Sequence, residues 1–290
     1  MKKLSVLFTA IAAFVVVLAA CGKGNNESDN KKIVVAATPT PHGQVAKKAG
    51  EIMKKKGYEV EIREVNDYKI PNKLLDKGDV DANLFQHVPY LKAEQKSHGY
   101  QIEEVGKVLT TPMAVYSKKH KSLKDLPDGA KIYISNNPAE EGRFLSFFVK
   151  AGLIKIKDGV KIEDAKLDDI VENKKHLEFD NQQGAEFLPK TYNNGEGDAV
   201  IMNSNYAIDN GLKPLKDSIA VEDESSPFAN ILAVQKGHKN DEKYQEFLKA
   251  LQSDEVRDYI NKEFDGAVIP RSNVLVRILY TMSWRNRMTI

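Results

Sequence analysis

A single cysteine in 290 residues, Cys21, leaves no second thiol for an internal disulfide and no ligand set for a cysteine zinc site. Life outside the cytoplasm would therefore rest on core burial alone, and a chain of this length has apolar surface enough for that. Tryptophan is as scarce: the one residue, Trp284, falls in a C-terminal stretch unlike the rest. A dominant charge sign is also missing, with 43 Lys and Arg against 41 Asp and Glu. The two ends hold the basic excess, because residues 1–20 and 271–290 contain no acid, so residues 21–270 carry 37 basic and 41 acidic side chains, about −4. Such a body offers no phosphate-tracking surface, which argues against nucleic acid as a partner. Catalytic signatures are lacking too: there is no Gly-x-Ser-x-Gly, no His-Glu-x-x-His and no phosphate loop, and the six histidines show no i,i+4 pairing. No catalytic residue, metal site or cofactor is expected.

What is present begins at the N-terminus. Lys2 and Lys3 precede an apolar run from Leu4 to Ala20 that ends in Leu18-Ala19-Ala20-Cys21. A charged start, a short apolar stretch and small residues before the cut mark a secretory signal, and the cysteine at the cut makes it a lipobox. Residues 1–20 read as a lipoprotein signal peptide, with Cys21 as the lipidated (diacylglycerol, palmitate-type) mature terminus. Residues 21–30, polar and Gly-containing, read as a flexible tether of about 20 Å reach.

The body repeats one unit. Ile33–Ala37 is an apolar run typical of a buried parallel strand. Thr40 and Pro41 suit the N-cap and N1 of a helix whose inner face carries Val45, Ala49, Ile52 and Met53, and which stops at Gly57. Tyr58–Ile62 then alternates as a strand. Roughly one hundred residues on, Lys131–Ser135 is a strand, Asn137 and Pro138 are cap and N1, and Phe144, Phe147, Phe148 and Ala151 line a helix closed by Gly152. A second echo pairs Asp81–His87 with Asp198–Ser204, each a short strand after a Gly-containing turn, ending in polar residues. Two α/β lobes follow, with the ligand crevice beyond the carboxyl ends of their strands. Pro112–Ser117 and Pro227–Val234 read as two hinge strands between the lobes. The expected division is residues 31–113 plus 229–270 for lobe 1 and 114–228 for lobe 2. Amphipathic helices around Tyr244–Leu251 and Val256–Phe264 should pack back on lobe 1. Residues 271–290 break the style of everything before them and read as an atypical tail, an added scar rather than a working element.

An aromatic and amide set gathers at the expected cleft edge: Tyr68, Phe85, Gln86, His87, Tyr90, Asn136, Arg143, Asn203, Asn205, Tyr206 and Asn230. It suits a zwitterion with an apolar tail. Arg143 offers a planar fork for a carboxylate, Asn203 and Asn230 offer carbonyl oxygens to an ammonium, and the rings enclose a hydrophobic or thioether side chain. Each residue also admits a blander reading: Arg143 as a solvated surface charge, Phe85 as core, His87 and Tyr90 as turn caps beside Pro89, and the asparagines as partners of local backbone.

Taken in order, the lipobox, Asn66-Asp67-Tyr68, the Asp81–Leu91 segment with Phe85-Gln86-His87-Val88-Pro89-Tyr90, Gly142-Arg143, Asp198–Asn203 and Glu222–Asn230 resemble the NlpA-type methionine-binding lipoproteins, from residue 1 to about 270. The resemblance implies a two-lobed periplasmic-binding-protein-like α/β fold of type II, with the ligand in the interlobe cleft. It implies an extracytoplasmic, lipid-anchored binding protein, not an enzyme, that closes around L-methionine or a close analogue and hands it to the permease and ATPase subunits of an ABC importer. Ligand-binding positions carried over are Tyr68, Phe85, His87, Tyr90, Arg143, Asn203 and Asn230, with Arg143 on the carboxylate. Two departures stand out. Members often read Asn-Asp-Pro-Thr-Asn before Gly-Arg, whereas this chain has Asn136-Asn137-Pro138-Ala139-Glu140-Glu141; and members usually finish within a few residues of Pro270. Rival readings are a methionine-containing dipeptide or another small amino acid as ligand, an enzyme on the same bilobed fold, or a surface adhesin.

Overall fold

The computed structural model describes residues 31–222, 226 and 228–271. The signal peptide, Cys21, the tether and all but the first residue of the tail lie outside the described residues. The chain first forms β1 (Lys32–Ala37), a helical turn at Pro39–Gly43, α1 (Gln44–Lys55), β2 (Glu59–Glu64), α2 (Lys69–Lys77), β3 (Ala82–His87), α3 (Val88–His98) and β4 (Ile102–Thr110). It continues with β5 (Met113–Tyr116), β6 (Lys131–Ser135), α4 (Glu141–Lys150), the hairpin β7 (Ile154–Ile156) and β8 (Ile170–Asn173), β9 (Glu178–Gln183), α5 (Leu188–Asn193), β10 (Ala199–Asn203), α6 (Ser204–Asp209), α7 (Pro214–Asp217) and β11 (Ser218–Val221). It closes with β12 (Asn230–Gln235), α8 (Glu242–Leu251), α9 (Asp254–Phe264) and β13 (Ile269–Pro270).

The strands form two main sheets built to one plan. The first runs β2-β1-β3-β12-β4-β13 and the second β9-β6-β10-β5-β11. In each, a central strand (β1 or β6) is parallel to both its neighbours, and the strand beyond (β12 or β5) runs antiparallel. The antiparallel strand comes from the far side of the crossover: β12 follows the second sheet in sequence but completes the first. This exchange gives two connections between lobes, one at Thr111–Pro112 and one between Glu222 and Ala229, and with the shared strand order it is the two-lobed binding-protein arrangement.

One local device appears twice. The Asp81 amide donates to the Val34 carbonyl while its carboxylate accepts from Val34 N at 2.7 Å; Asp198 does the same to Lys131, with Lys131 N to Oδ2 at 2.9 Å. An aspartate at the turn before a strand thus locks the neighbouring strand's register from both backbone groups, which is the physical content of the sequence echo.

The cores follow the amphipathic faces. Val45, Ala46, Ala49 and Met53 of α1, Tyr244, Phe247 and Leu251 of α8, and Val256, Ile260 and Phe264 of α9 bury against one face of the first sheet. In the second lobe Phe144, Leu145, Phe147 and Phe148 of α4 pack on Ile132, Ile134 and Ile201.

The Thr40-Pro41 start agrees with the backbone, since Thr40 is extended at φ −120°, ψ 135°, as an N-cap residue is, and the turn after it runs into α1. Two details depart from the sequence reading. The two segments taken for hinge strands do not bridge the lobes as strands: β5 lies wholly in the second sheet and β12 in the first, and the crossings precede them. Arg271 belongs to the folded body, its amide donating to Val108 O and its Nε to Thr110 Oγ1, both at 2.8 Å. Among the described residues no helix is long and apolar enough to cross a membrane, and no group of three His, Cys, Asp or Glu side chains gathers to hold a metal.

Candidate functional site

The carboxyl ends of β3 and β10 face each other across the gap between the sheets. Tyr68, just before α2, sits at the centre of an aromatic group, with ring centroids 5.9 Å from Phe85, 6.4 Å from Tyr90 and 5.1 Å from Tyr206. Phe85 meets Tyr90 edge-on at 5.8 Å. Burial pushes the Tyr68, Tyr90 and Tyr206 hydroxyls well above the ordinary phenol range, so each acts as a neutral hydrogen-bond donor. Bonds that cross the gap include Tyr68 OH to Asn205 Oδ1 at 2.7 Å, Tyr206 OH to Asn66 O at 2.8 Å, and His87 Nε2 to Glu140 Oε1 at 2.6 Å. The lobes are held together around the rings.

His87 ends β3 and caps α3, its Nδ1 accepting from the Tyr90 amide at 3.2 Å. With Nδ1 an acceptor, the hydrogen on Nε2 is the one donated to Glu140. The other face of His87 meets Phe228 at 5.0 Å, and Phe228 in turn lies under the Arg143 guanidinium, 4.8 Å from ring centroid to Cζ.

Arg143 is the polar centre. It lies in the first turn of α4, where Gly142 is obligatory: a Cβ there would sit 2.0 Å from the Ile162 carbonyl oxygen. The guanidinium gives Nε to Glu222 Oε1 (2.7 Å) and Nη2 to both Glu222 Oε2 (2.5 Å) and the Thr111 carbonyl (3.0 Å). Its Nη1 lies 3.5 Å from Glu140 Oε1. Glu222 also accepts from Met113 N at 2.8 Å, so this ion pair fastens the two lobe crossings to each other. Burial opposes the charge on Arg143, but Glu222 and Glu140 outweigh it and hold its pKa above the ordinary value. Burial likewise opposes the Glu140 carboxylate; Arg143 and His87 prevail and keep its pKa below the usual range.

Asn230, first residue of β12 and paired with His87 in register, is fixed from three sides. Its Nδ2 faces the Phe85 carbonyl (3.4 Å), which sets the amide orientation; its Oδ1 then accepts from Thr111 Oγ1 and from His42 Nε2, both at 3.1 Å. With its hydrogen on Nε2, His42 must accept at Nδ1, and Thr38 Oγ1 donates there at 2.6 Å. Burial lowers the His42 pKa to about 4, in keeping with a neutral ring.

Of the residues expected from sequence, Tyr68, Phe85, His87, Tyr90, Arg143 and Asn230 join one connected network. Asn203 ends β10 at the same gap, nine-tenths buried. Two expected roles change. The Nε/Nη2 fork of Arg143 is filled by Glu222, so the edge left for a ligand carboxylate is Nη1; and the carbonyl oxygen of Asn230 already has two donors, so what it can offer is its second amide hydrogen. Gln86 turns away into a buried amide cluster with Asn72 and Asn83, and Asn136 is exposed. Sequence reasoning passed over Thr38, His42, Thr111, Glu140 and Glu222. Only the buried spacing of Glu140 three residues before Arg143 carried a local hint of pairing. At the site one buried donor is left over: Asn205, 1% exposed, has no partner for Nδ2 among the described residues, while its Oδ1 holds the Tyr68 hydroxyl. A buried amide hydrogen without an acceptor is costly.

Comparison with known proteins identifies the relatives of this chain. A sequence model of the NlpA lipoprotein family matches residues 33–272. The methionine-binding lipoprotein MetQ of Bacillus subtilis is 47% identical over 275 residues, covering 94% of this chain and 100% of that protein. Among solved structures, a nutrient binding protein from Burkholderia cenocepacia bound to methionine aligns with a TM-score of 0.77 at 40% identity, over 82% of this chain and 99% of the other. An ABC transporter periplasmic substrate-binding protein from Coxiella burnetii gives a TM-score of 0.77 at 37% identity, over 82% of this chain and 100% of the other. The chain belongs to the NlpA lipoprotein family.

Proposed function

We propose that this chain is an extracytoplasmic binding protein, anchored through lipidated Cys21, that captures methionine between its lobes and presents it to the permease and ATPase subunits of an ABC importer. It makes and breaks no bonds itself. The observation that carries the reading is the aromatic group of Tyr68, Phe85, Tyr90 and Tyr206 between the lobes, with the buried Arg143 in the same network; in this reading the rings take a thioether chain, and Arg143 Nη1, Asn205 Nδ2 and Asn230 Nδ2 serve a carboxylate. Sulfur–aromatic contacts add about 0.3–1.5 kcal/mol each. Asn203, at the end of β10, faces the same gap. The lobes are assigned to residues 31–113 plus 229–270 and to 114–228, as expected from sequence, save that Met113 pairs with Asn203 in the second sheet and belongs to the second lobe; the cross-gap bonds of Tyr68, Tyr206 and His87 are taken as contacts that close them. Support comes from the relatives: the Bacillus protein is named for methionine binding, the Burkholderia structure holds methionine, and the Coxiella protein is described as an ABC transporter component.

The test is calorimetric titration of protein stripped of endogenous ligand by unfolding and refolding, with L-methionine, D-methionine and a methionine-containing dipeptide, alongside native mass spectrometry of protein never unfolded. One equivalent of L-methionine should bind, and its mass should appear on the native protein. Binding of none of the three by a refolded protein with native circular dichroism would overturn the reading.

A further inference from the structure

Gln86 lies between Phe85 and His87 yet takes no part in the rings. With Asn72 and Asn83 it forms a closed group of amides, all three buried. Asn72 Nδ2 donates to Gln86 Oε1 at 2.8 Å, and Asn72 Oδ1 accepts from Asn83 Nδ2 at 2.9 Å and from Gln86 Nε2 at 2.6 Å. Gln86 Nε2 gives its other hydrogen to Asn83 Oδ1 at 3.0 Å. Reversing any one amide would set N–H against N–H or oxygen against oxygen, so a single set of orientations satisfies the group.

The backbone bends to make it. Between β12 and β3 the register places Leu232 opposite Leu84 and then Asn230 opposite His87, two steps on β12 against three on β3. The extra residue is a bulge at Phe85-Gln86, which lets Gln86 meet Asn83 three residues before it. A bulge re-aims side chains, and here one of its two residues, Phe85, joins the rings.

On the helix side, Asn72 lies four residues after Tyr68, one turn along the same face. In the first turn of α2 Lys69 and Ile70 are exposed, leaving Pro71 and Asn72 as the buried residues there. The other end of α2 is held by buried Leu75, whose carbonyl accepts from Gln235 Nε2 at 3.0 Å. Apolar contact is non-directional and leaves the roll and slide of a short helix open; the amide bonds fix both.

We propose that Asn72, Asn83 and Gln86 are positioning residues for ligand capture: they set α2 on β3 so that Tyr68 stands against Phe85 and reaches Asn205 on the other lobe, and they supply placement rather than stability. The inference rests on the methionine reading above. Buried amides bonded to one another gain little over the same amides bonded to water, so apolar replacements of similar shape throughout the group leave stability near its original value.

The test is a mutant cycle on the full chain without its signal peptide. In Asn72→Leu/Asn83→Leu/Gln86→Met the urea midpoint should equal or exceed that of wild type, whereas L-methionine affinity should fall about three- to tenfold, the worth of a misplaced Tyr68–Asn205 bond. Added to Tyr68→Ala, the same three changes should bring no further loss, because the residue they position is gone. Equal losses with and without Tyr68, or unaltered affinity in the triple form, would overturn the proposal and leave the methionine reading standing. A triple form that does not fold would overturn the stability half; Asn83→Leu alone, which removes two of the four bonds, then carries the same cycle for the placement half. Failure of wild type to bind L-methionine would sink both readings.

Discussion

Replacing Arg143 by alanine removes three hydrogen bonds at once and leaves two buried carboxylates, Glu222 and Glu140, without their cation. Stripping one partner from a buried pair costs about 3–5 kcal/mol of stability. The loss falls on the crossings, since Glu222 also holds Met113 N and Arg143 holds the Thr111 carbonyl. Affinity should fall as well, by about 2–5 kcal/mol for an unpaired ligand carboxylate in a closed cleft, or roughly 30- to several-thousandfold. The two effects separate in a paired measurement, urea unfolding for stability and calorimetry under native conditions for L-methionine. Arg143→Lys should recover part of the stability, as a point charge near two carboxylates, but not the affinity, because a single ammonium does not supply the Nη1 edge while also holding Glu222 and Thr111. Phe85→Ala sets the scale: burial of its ring is worth about 1.5–3 kcal/mol, so it should weaken binding less than Arg143→Ala. Near-normal affinity in a folded Arg143→Ala protein would refute the assignment and leave Arg143 as a strut of the crossings only.

His42 gives the protein an acid sensitivity. Its folded pKa of about 4 lies below the ordinary imidazole value of 6.5, so the unfolded chain binds the extra proton first and stability falls as pH drops from about 6.5 toward 4, by about 3 kcal/mol in all; the slope of urea midpoint against pH should flatten in His42→Gln, and an unchanged slope would show that other groups set it. Cys21→Ala should release the protein from membranes into the extracytoplasmic fraction, whereas retention of an unlipidated form at equal level would mean the leader is an uncleaved anchor. Ending the chain after Ser272, which spares the Arg271 bonds to Val108 and Thr110, should leave unfolding and affinity unchanged; a loss of either would make residues 273–290 part of the working protein.

Much of the fold was legible because it is written locally and written twice. Apolar runs such as Ile33–Ala37, the i,i+3,i+4 faces of α1 and α4, and the aspartate-led strands β3 and β10 are short-range patterns, and their repetition gave the two lobes. What escaped was set by contacts between segments far apart. Whether β5 and β12 bridge the lobes or sit inside opposite sheets depends on which strand end each pairs with, and β12 pairs with β3 and β4 across the whole of the second lobe.

The site divides along the same line. Residues with a distinctive neighbourhood, such as the Phe85–Tyr90 segment and Gly142-Arg143, stand out in the sequence, and the fold brings them into one hydrogen-bonded and aromatic network. Their occupancy was not readable. Arg143 looked like an open fork until Glu222, 79 residues away, was found filling it, and Asn230 looked like an open carbonyl until His42, 188 residues away, was found donating to it. A hydrogen-bonding group has a fixed number of hydrogens and lone pairs, so its availability to a ligand is whatever the fold leaves over. That remainder turns the roles around. With Arg143 matched by Glu222 and the Asn230 oxygen taken by two donors, the groups left over beside the rings are N–H donors, Asn205 Nδ2 among them, rather than the carbonyl oxygens that the sequence suggested.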